Sequence, residues 1–383
     1  MEIYLDNSAT TKPYKEVVEK MIYALEVDYA NPSSLHKKGV EVEKHIKEIR
    51  QNIARTLGAK DKEVFFTSGG TESNNAIIRG VMHLNKKRKN HIISTEIEHP
   101  SVLNTLKELE EDGCEVTYLK VNNEGNIDLD ELKKAIMPKT CLITIMHVNN
   151  EVGNILPIQE IGKYLKTLED KVYLHVDAVQ SYAKINFKPS KYNIDFMSVS
   201  GHKIHGPKGI GFMYIKENNR IKPMMTGGNQ EIGIRSGTEN TVGIYGLGEA
   251  VKLVNTDMNE KIVKINNLKE ILKDKIVENI GDIKINSPKD GVCHILNISF
   301  KDVRGEVLLH YLEQKNMYVS TGSACSSKKK GSHVLNAMNL TPSEIEGAIR
   351  FSLSDMTTED EINKAVEILK SSVEDLRFII KRR

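Results

Sequence analysis

The sequence SVSGHKIHGPKG, residues 198–209, carries the strongest signal for the fold and for its chemistry. It continues a short apolar strand and leads into a turn rich in glycine and proline, which places Lys203 at the exposed end of a buried strand. A lysine that is partly desolvated and lies beside His202 can have a lowered pKa, and its neutral amine can form a Schiff base with a carbonyl cofactor. The alternative is that Lys203 and Lys208 are loop lysines that bind an anion or are simply solvated. This stretch alone leaves both interpretations open.

The composition of the chain is that of a large enzyme. Its 383 residues predict two domains, because single hydrophobic cores stop growing below that length. Hydrophobic residues make up 39% and charged residues 28%, and the formal net charge is only +2. This balance argues against a disordered chain and against a dedicated nucleic-acid surface. We therefore expect a two-domain enzyme that does not bind nucleic acid directly.

Targeting signals and metal-binding motifs are not evident in the sequence. The start, MEIYLDNSATT, lacks the basic and apolar regions of a signal peptide, and no apolar run approaches the roughly 18 residues of a membrane helix. The four cysteines form no CxxC pair, and the twelve histidines form no HxH or HxxxH pair. We therefore expect a cytoplasmic protein with no membrane contact, no disulfide framework and no metal site.

A second stretch has the features of an anion site. A predicted strand over residues 63–68 leads through Gly69, Gly70 and Thr71 into a predicted helix. Glycines allow close approach of the backbone, and the start of a helix offers free N–H groups with a favourable dipole. The pattern predicts that a phosphate binds here. The alternative is an ordinary turn in which Thr71 caps the helix and no ligand binds.

Strands and helices alternate after residue 63, which predicts a mostly parallel sheet with helices on both faces. Ligands bind such sheets at the carboxyl ends of the strands. The polar residues expected at this edge are Thr67, Ser68, Glu98, His99, Asn149, Asn150, Glu151, Asp177 and Gln180.

Earlier in the chain, the helical spacing of Val17, Met21 and Leu25 predicts a scaffold helix with these side chains on one face.

Asp177 is the most informative residue at this edge, because an apolar strand delivers it there just before the strand that leads to Lys203. A carboxylate and an amine at one cofactor suit a pyridinium ring that bears an aldehyde. The carboxylate keeps the ring nitrogen protonated and the lysine forms the imine. Alone, Asp177 is better explained as a satisfied carboxylate at a strand end. Together with Lys203 and the phosphate turn, the cofactor interpretation is favoured.

His99 is singled out among the histidines near strand ends. Its ring can stack on a planar cofactor and exchange protons near neutral pH. The alternative is a histidine that only makes hydrogen bonds in a loop.

The sequence beyond Gly248 changes to a pattern of helices and short strands that predicts a second, α+β domain. The polar, glycine-rich stretch before it, residues 227–240, predicts a functional loop or a contact between subunits. Cys325 lies among small polar residues and is followed by lysines at positions 328–330, whose positive field favours the thiolate. The alternative is a free surface cysteine beside a solvated run of charge.

These stretches together resemble the cysteine desulfurases related to NifS and IscS, in the class V aminotransferase group of fold type I enzymes that depend on pyridoxal 5'-phosphate (PLP). The matching motifs are YLDNSATT, NPSSLH, FTSGGTESNN, EHPSV, MHVNNEVG, HVDAVQS, SGHKIHGPKG, RSGTEN, STGSACSS and IRFSLS. The resemblance implies an α/β fold whose large PLP-binding domain spans residues 15–255 and has a mostly parallel sheet covered by helices. It also implies a smaller α+β domain at residues 256–383 that carries the cysteine loop, with residues 1–14 joining it.

The resemblance further implies a role for each site residue. Lys203 would carry PLP, Asp177 would pair with the ring nitrogen, and His99 would stack on the ring. Gln180 and Asn150 would lie at the ring hydroxyl. The phosphate would be bound by Gly70, Thr71, Ser200 and His202, with Thr238 reaching across from the other subunit of a homodimer. Arg350, with Asn150, would hold the substrate carboxylate, and Cys325 would attack the substrate sulfur.

The implied reaction converts L-cysteine to L-alanine and leaves a persulfide on Cys325. The sulfur would pass to an acceptor protein, either a scaffold for iron–sulfur cluster assembly or a sulfurtransferase for tRNA thiolation. The lysine run after Cys325 is not general in the family, which leaves the acceptor open. One alternative is a selenocysteine lyase or another enzyme of the group, although a plain aminotransferase has no need of Cys325. A non-catalytic sulfur carrier or regulatory subunit is the other, but it would be expected to lack Lys203 or Asp177.

Overall fold

The structure is a computed structural model that describes residues 1–322 and 331–381. Its strands are β1 (Ile3–Tyr4), β2 (Val64–Thr67), β3 (His91–Thr95), β4 (Glu115–Leu119), β5 (Thr140–Met146), β6 (Tyr173–Asp177), β7 (Phe196–Ser200), β8 (Gly211–Ile215), β9 (Ile283–Ile285), β10 (Ile295–Phe300), β11 (Met317–Tyr318) and β12 (Ala348–Ser352). Its helices are α1 (Lys15–Glu26), α2 (Lys37–Leu57), α3 (Gly70–Asn85), α4 (Pro100–Glu111), α5 (Leu129–Ala135), α6 (Ile158–Leu165), α7 (Thr241–Asn255), α8 (Met258–Asn279), α9 (Gly305–Glu313), α10 (His333–Ala337), α11 (Pro342–Glu346) and α12 (Glu359–Lys381).

A seven-stranded sheet in the order β2-β8-β7-β6-β5-β3-β4 forms the centre of the fold. The neighbours from β7 to β4 pair in parallel, whereas β8 is antiparallel to both β7 and β2. Every residue of β5, β7 and β8 is buried, as expected of strands covered on both faces. The predicted mostly parallel α/β sheet is confirmed.

Two helices begin at the carboxyl edge of this sheet. α3 begins at Gly70, just after β2, and α4 begins at Pro100 with His99 as its N-cap. Proline suits the first turn of a helix because it has no N–H to leave without a partner. The free N–H groups of both helices therefore lie at the edge where ligands bind in parallel sheets.

A second, antiparallel sheet in the order β12-β10-β9 lies in the C-terminal part of the fold, where α8 packs against α12. β1 pairs in parallel with β11, and Asp6 bridges to Ser352, so the first residues of the chain join this part. Thr358 and Glu361 exchange hydrogen bonds at the start of α12, which confirms the capping box that the sequence predicts there. The domain boundaries at residues 14 and 255 stay predictions.

The packing of α1 differs from the helical spacing of its apolar residues. Its fully buried residues are Val17 and Ala24, whereas Leu25 is 61% exposed. α1 packs against α7, where Gly246 leaves room for Met21, so the packed face is turned away from Leu25. The predicted helix is confirmed, and Leu25 lies on the part of its apolar face that α7 does not cover. Among the described helices, none is long and apolar enough to cross a membrane.

Candidate active site

Asp177 and Lys203, which the sequence predicts to bind one cofactor, lie at the carboxyl edge of the central sheet. Asp177 ends β6, and Lys203 lies in a short turn that follows β7 directly. β6 and β7 are neighbours, and Asp177 lies opposite Ser198 in their parallel register. The prediction that the carboxylate and the lysine follow adjacent strands is confirmed.

The ammonium group of Lys203 is held by the amino-terminal segment. Its Nζ donates hydrogen bonds to the backbone oxygens of Ser8, at 2.6 Å, and Ala9, at 2.7 Å. Burial, together with the positive charges of Arg350 and Lys184, lowers the pKa of Lys203 to about 7. A large share of such a lysine is a neutral amine near pH 7, which is the form that attacks a carbonyl carbon.

The carboxylate of Asp177 is buried and fixed by two donors. Its Oδ2 accepts a hydrogen bond from Asn74 Nδ2 at 2.7 Å, and its Oδ1 accepts one from the backbone N–H of Val179 at 3.0 Å. Asn74 Nδ2 also donates to the hydroxyl of Ser101 at 2.9 Å. These bonds hold the carboxylate in one orientation, so it can face a cationic ring nitrogen.

The ring of His99 is set by its place at the start of α4. Its Nδ1 accepts a hydrogen bond from the backbone N–H of Ser101 at 3.1 Å and lies 2.8 Å from the hydroxyl of the same residue. Burial lowers the pKa of His99, against the opposing effect of the Asp177 carboxylate. The ring is therefore neutral at physiological pH and has a fixed orientation at the same edge as Asp177 and Lys203.

Two glycines determine the conformation of the turn between β2 and α3. Gly69 has φ +146°, a conformation that favours glycine. A Cβ atom on Gly70 would lie 2.7 Å from the Cγ2 atom of Val179, which is closer than van der Waals contact allows. The backbone therefore approaches the sheet edge closely, and the free N–H groups of α3 can bind an anion there. Thr71 follows in the first turn of α3 and is exposed.

Ser200 borders this turn from the end of β7, and His202 follows two residues later. The hydroxyl of Ser200 lies 3.4 Å from the position that a Cβ atom on Gly69 would take. His202 Nδ1 lies 3.2 Å from the hydroxyl of Thr10. Burial, assisted by the charge of Lys203, lowers the pKa of His202 to about 4, so its ring is neutral. A hydroxyl group, a neutral ring and backbone N–H groups therefore follow β2 and β7 at the carboxyl edge, and their role in phosphate binding stays a prediction.

Arg350 is buried on β12 and joins three parts of the fold at this edge. Its Nη2 donates to the carboxylate of Asp6 at 2.8 Å, and its Nη1 donates to the backbone oxygen of Asn150 at 2.8 Å. Its Nε is buried and has no hydrogen-bond partner in the part of the chain that the structure describes. A buried guanidinium with a spare donor can bind a further carboxylate.

Gln180 and Asn150 occupy the same region. Gln180 Nε2 donates to the backbone oxygen of Ser8 at 3.0 Å, which is also an acceptor for Lys203. Asn150 lies in the turn after β5 and is fixed through its backbone by Arg350. Gln180 therefore lies near the lysine, and Asn150 lies near the arginine. Their predicted roles stay predictions.

Two predicted residues stand apart from this group. Thr238 is exposed and lines a cavity of about 150 Å³ with Thr67, Ser68 and Gly209, so its contribution to a second subunit stays a prediction. Cys325 lies outside the described residues, as do the lysines that follow it.

Three residues of the candidate site were not singled out in the sequence, namely Asp6, Ser8 and Asn74. Asn74 carries one detectable signal, because it lies about one helical turn after Gly70 and therefore on the same side of α3. The contacts of Asp6 with Arg350 and of Ser8 with Lys203 join distant parts of the chain, and no local pattern marks them.

Comparisons with known proteins place the chain in a family. A family model described as aminotransferase class-V matches residues 3–365. The cysteine desulfurase IscS of Dictyoglomus turgidum is 43% identical over 380 residues, which cover 99% of this chain and 96% of that protein. A solved structure of a NifS-like protein matches with a TM-score of 0.93 at 37% identity, and the match covers 98% of this chain and all of that one. A structure of SspA in complex with cysteine matches with a TM-score of 0.82 at 36% identity, and the match covers 93% of this chain and all of that one. The chain therefore belongs to the class V aminotransferase family and, within it, to the cysteine desulfurases.

Proposed function

We propose that this protein is a PLP-dependent cysteine desulfurase that converts L-cysteine to L-alanine and receives the sulfur as a persulfide on Cys325. One observation carries the proposal. A lysine with a pKa lowered to about 7 and a fixed, buried carboxylate follow adjacent parallel strands, at an edge that also has a glycine turn for a phosphate. The relatives named as cysteine desulfurases, and the similar SspA structure that contains cysteine, support L-cysteine as the substrate.

The residues at this edge fit PLP. Lys203 would bond to its aldehyde carbon, Asp177 would face its ring nitrogen, His99 would stack on its ring, and Gln180 and Asn150 would lie on the side of its hydroxyl. Its phosphate would be held by Gly70, Thr71, Ser200 and His202, and by Thr238 of a second subunit. The narrow space at Gly70 and the neutral state of His202 suit close backbone contact with an anion. When bound, PLP supplies a ring that accepts electrons from bonds next to the substrate's α-carbon.

Substrate binding and proton transfer would depend on three side chains of this site. Arg350, with its unpaired Nε, would hold the substrate carboxylate and so fix the amino acid relative to Lys203. Lys203 and His99 are the nearby groups that can hold or move a proton, since the pKa of each is lowered mainly by burial.

The proposed transfer of sulfur to Cys325 needs no external oxidant. The thiolate of Cys325 attacks the substrate Sγ, an S–S bond forms, and the Cβ–Sγ bond breaks with its electron pair remaining on Cβ. Cβ then takes up a proton to become the methyl group of alanine. The sulfur is oxidised and Cβ is reduced by the same two electrons.

The direct test supplies the purified PLP-loaded protein with L-cysteine and, separately, with L-selenocysteine, and measures alanine together with sulfide or selenide. We expect equal amounts of alanine and sulfide from L-cysteine in the presence of a thiol reductant. Turnover of L-selenocysteine alone would contradict the proposal and identify a selenocysteine lyase. Transamination, with no sulfide released, would also contradict it.

We extend the proposal to a homodimer in the cytoplasm that passes sulfur to an acceptor protein for iron–sulfur cluster assembly or tRNA thiolation. Apolar side chains exposed on and after α1 support a subunit contact, and they are Val18, Ile22, Leu25, Val27, Tyr29 and Leu35. Three cysteines are free and buried, at positions 114, 141 and 293, which suits a reducing compartment.

The glycine turn gives a prediction about cofactor affinity. In Gly70→Ala the added methyl group meets Val179, so the turn must open and its N–H groups move away from the phosphate. We expect the dissociation constant for PLP to rise about tenfold or more, because overpacking costs about 1–3 kcal/mol and about 1.4 kcal/mol corresponds to a tenfold change in that constant. Absorbance titration of the apoprotein with PLP measures it. Gly281→Ala is the matched control, since a Cβ atom there has no neighbour within 4 Å among the described residues. Equal affinities of the two variants would contradict the prediction.

The lowered pKa of Lys203 predicts a pH dependence for cofactor uptake. Only the neutral amine attacks the PLP aldehyde, and it becomes the main form as the pH rises through about 7. The rate of absorbance change after mixing apoprotein with PLP should therefore rise through pH 7 and level off above it. A blocked lysine derivative mixed with PLP is the control, because its rate should keep rising toward pH 10. A rise in the protein that parallels the control would show that Lys203 has an ordinary pKa.

A further inference from the structure

A polar cluster of Tyr14, His205 and Asp355 lies beside the turn that carries Lys203. The hydroxyl of Tyr14 donates to Asp355 Oδ2 at 2.7 Å, and His205 Nε2 lies 3.2 Å from Asp355 Oδ1. The rings of Tyr14 and His205 stack, with their centroids 4.3 Å apart. Lys261 of α8 places its Nζ 3.8 Å from Asp355 Oδ2. Both oxygens of this carboxylate therefore contact side chains from other segments of the chain.

The hydrogen bonds of His205 fix the orientation of its ring. Its Nδ1 lies 2.7 Å from the backbone oxygen of Lys12, which can only accept, so Nδ1 donates. Its Nε2 faces the carboxylate of Asp355. Burial raises the pKa of Asp355, but hydrogen bonds from His205 and Tyr14 outweigh this effect and, with the charges of His205 and Lys261, lower that pKa to about 2. The carboxylate is therefore ionised and accepts from both members of the cluster.

His205 links the cluster to the turn of Lys203, which it follows by two residues. Its φ of +60° is rare for a residue with a Cβ atom, so contacts with neighbouring segments have to hold this shape. Its backbone N–H donates to Thr11 Oγ1 at 2.7 Å, and the same hydroxyl donates to the backbone oxygen of His202 at 3.0 Å. Lys203 and the cluster also line one inner cavity of about 40 Å³. Polar contacts, and not close packing alone, therefore set the position of the turn.

Asp355 links the cluster to the strand of Arg350. It lies three residues after the end of β12, which carries Arg350. A second link starts at Ser352 in the same strand, because the backbone N–H of Ser8 donates to its hydroxyl at 2.8 Å and the backbone oxygen of Ser8 accepts from Lys203. Two links therefore join the strand of Arg350 to the turn of Lys203, and the cluster is one of them.

The charge of the cluster argues against a purely stabilising role. Taking an ionised carboxylate and its partners out of water costs desolvation free energy, and well-packed apolar residues of similar volume often stabilise a fold as much or more. His205 is buried, and Asp355 is half-buried. The directed contacts between three distant segments are therefore better explained by placement than by stability.

We infer that Tyr14, His205 and Asp355 are positioning residues, which fix the turn of Lys203 relative to the strand that carries Arg350. This inference rests on the proposed function, in which L-cysteine brings its carboxylate to Arg350 and its amine to the cofactor carbon that Lys203 holds. The cluster then determines whether one substrate molecule reaches both groups at once. An amine without a carboxylate does not use Arg350, so the cluster has no effect on its reaction.

The test uses the PLP-loaded full chain and compares L-cysteine with cysteamine, which is L-cysteine without its carboxylate. The rate at which each compound changes the cofactor absorbance gives a ratio of the two rates. The variants are Tyr14→Phe, Asp355→Ala and the double variant Tyr14→Phe/Asp355→Ala. The dissociation constant for PLP and the midpoint of thermal unfolding are measured for each.

Tyr245→Phe is the matched control, because the chain contains a second cluster of the same three residue types. The hydroxyl of Tyr245 donates to Asp28 Oδ2 at 2.7 Å, and His45 Nδ1 lies 2.7 Å from the same oxygen. Tyr245 lies on α7, and none of these three residues is part of the candidate site. Tyr14→Phe and Tyr245→Phe thus each remove one hydrogen bond from a tyrosine to an aspartate.

We expect Asp355→Ala to lower the rate with L-cysteine about tenfold or more, and to leave the rate with cysteamine and the dissociation constant for PLP within about twofold of the wild type. Tyr14→Phe should lower the L-cysteine rate by a smaller factor of about three, because His205 and Lys261 keep their contacts with Asp355. The double variant should lose no more than Asp355→Ala, since both residues act through one carboxylate. Tyr245→Phe should keep the wild-type ratio, even if its unfolding midpoint falls as much as that of Tyr14→Phe.

Equal losses with L-cysteine and cysteamine would overturn the inference, as would a wild-type ratio in Asp355→Ala or the same loss of ratio in Tyr245→Phe as in Tyr14→Phe. If Asp355→Ala does not fold, the comparison of Tyr14→Phe with Tyr245→Phe decides. The proposed function is tested separately, by the release of sulfide and alanine from L-cysteine by the wild-type protein. It can therefore stand when the inference about the cluster fails.

Discussion

Replacing Lys203 with alanine is expected to remove the visible absorbance of bound PLP and to lower desulfurase activity by roughly 10³-fold or more, as the loss of a covalent group does in other enzymes. The reason is that the amine of Lys203 is partly neutral near pH 7, and Lys203 follows the strand that neighbours the one ending at Asp177. Absorbance spectra of the purified variant with added PLP, and sulfide release from L-cysteine, measure the two effects.

Two other lysines are the controls for this prediction. Lys208 lies on the same turn but is exposed, so Lys208→Ala should keep the absorbance and most of the activity. Lys184 is the sharper control, because burial lowers its pKa to about 8 and it lines an inner cavity together with Lys203. If Lys184→Ala removes the absorbance and Lys203→Ala keeps it, the assignment of the cofactor lysine is wrong.

The second large effect is expected from Cys325→Ser. A serine hydroxyl at neutral pH is a far weaker nucleophile toward sulfur than a thiolate, so sulfide release should fall by roughly 10³-fold or more. PLP absorbance and its change on addition of L-cysteine should persist, because these depend on Lys203, Asp177 and Arg350. Spectra and a sulfide assay of the same sample separate the two functions.

The remaining cysteines provide the control. Cys114, Cys141 and Cys293 are buried, and burial raises the pKa of each thiol, so none of them is suited to act as the thiolate. Mass spectrometry of the wild-type protein after L-cysteine is added should find the extra sulfur on Cys325 alone. Normal sulfide release by Cys325→Ser, or extra sulfur on Cys293, would remove Cys325 from the mechanism.

Sequence patterns determined the α/β class and the pairing of Lys203 with Asp177. Alternating strands and helices favour a parallel sheet, and polar residues that follow apolar strands then lie at one edge. The glycines at positions 69 and 70 marked the close approach of the backbone in the same way. Each of these signals is local, because strand period, helix start and turn chemistry depend on residues close together in the chain.

The tertiary structure alone decided which distant groups complete the site. The backbone oxygens of Ser8 and Ala9 hold Lys203, which lies 195 residues after Ser8. Asp6 binds Arg350, which lies 344 residues further along the chain. Helical spacing placed Leu25 on a face of α1, but the neighbouring helix covers another side of it. Local sequence patterns predict which side chains lie on the same face of a helix or at the same edge of a sheet. Which element covers that face, and which backbone oxygens reach a buried charge, depends on packing between segments far apart in sequence, and that packing leaves no local signal.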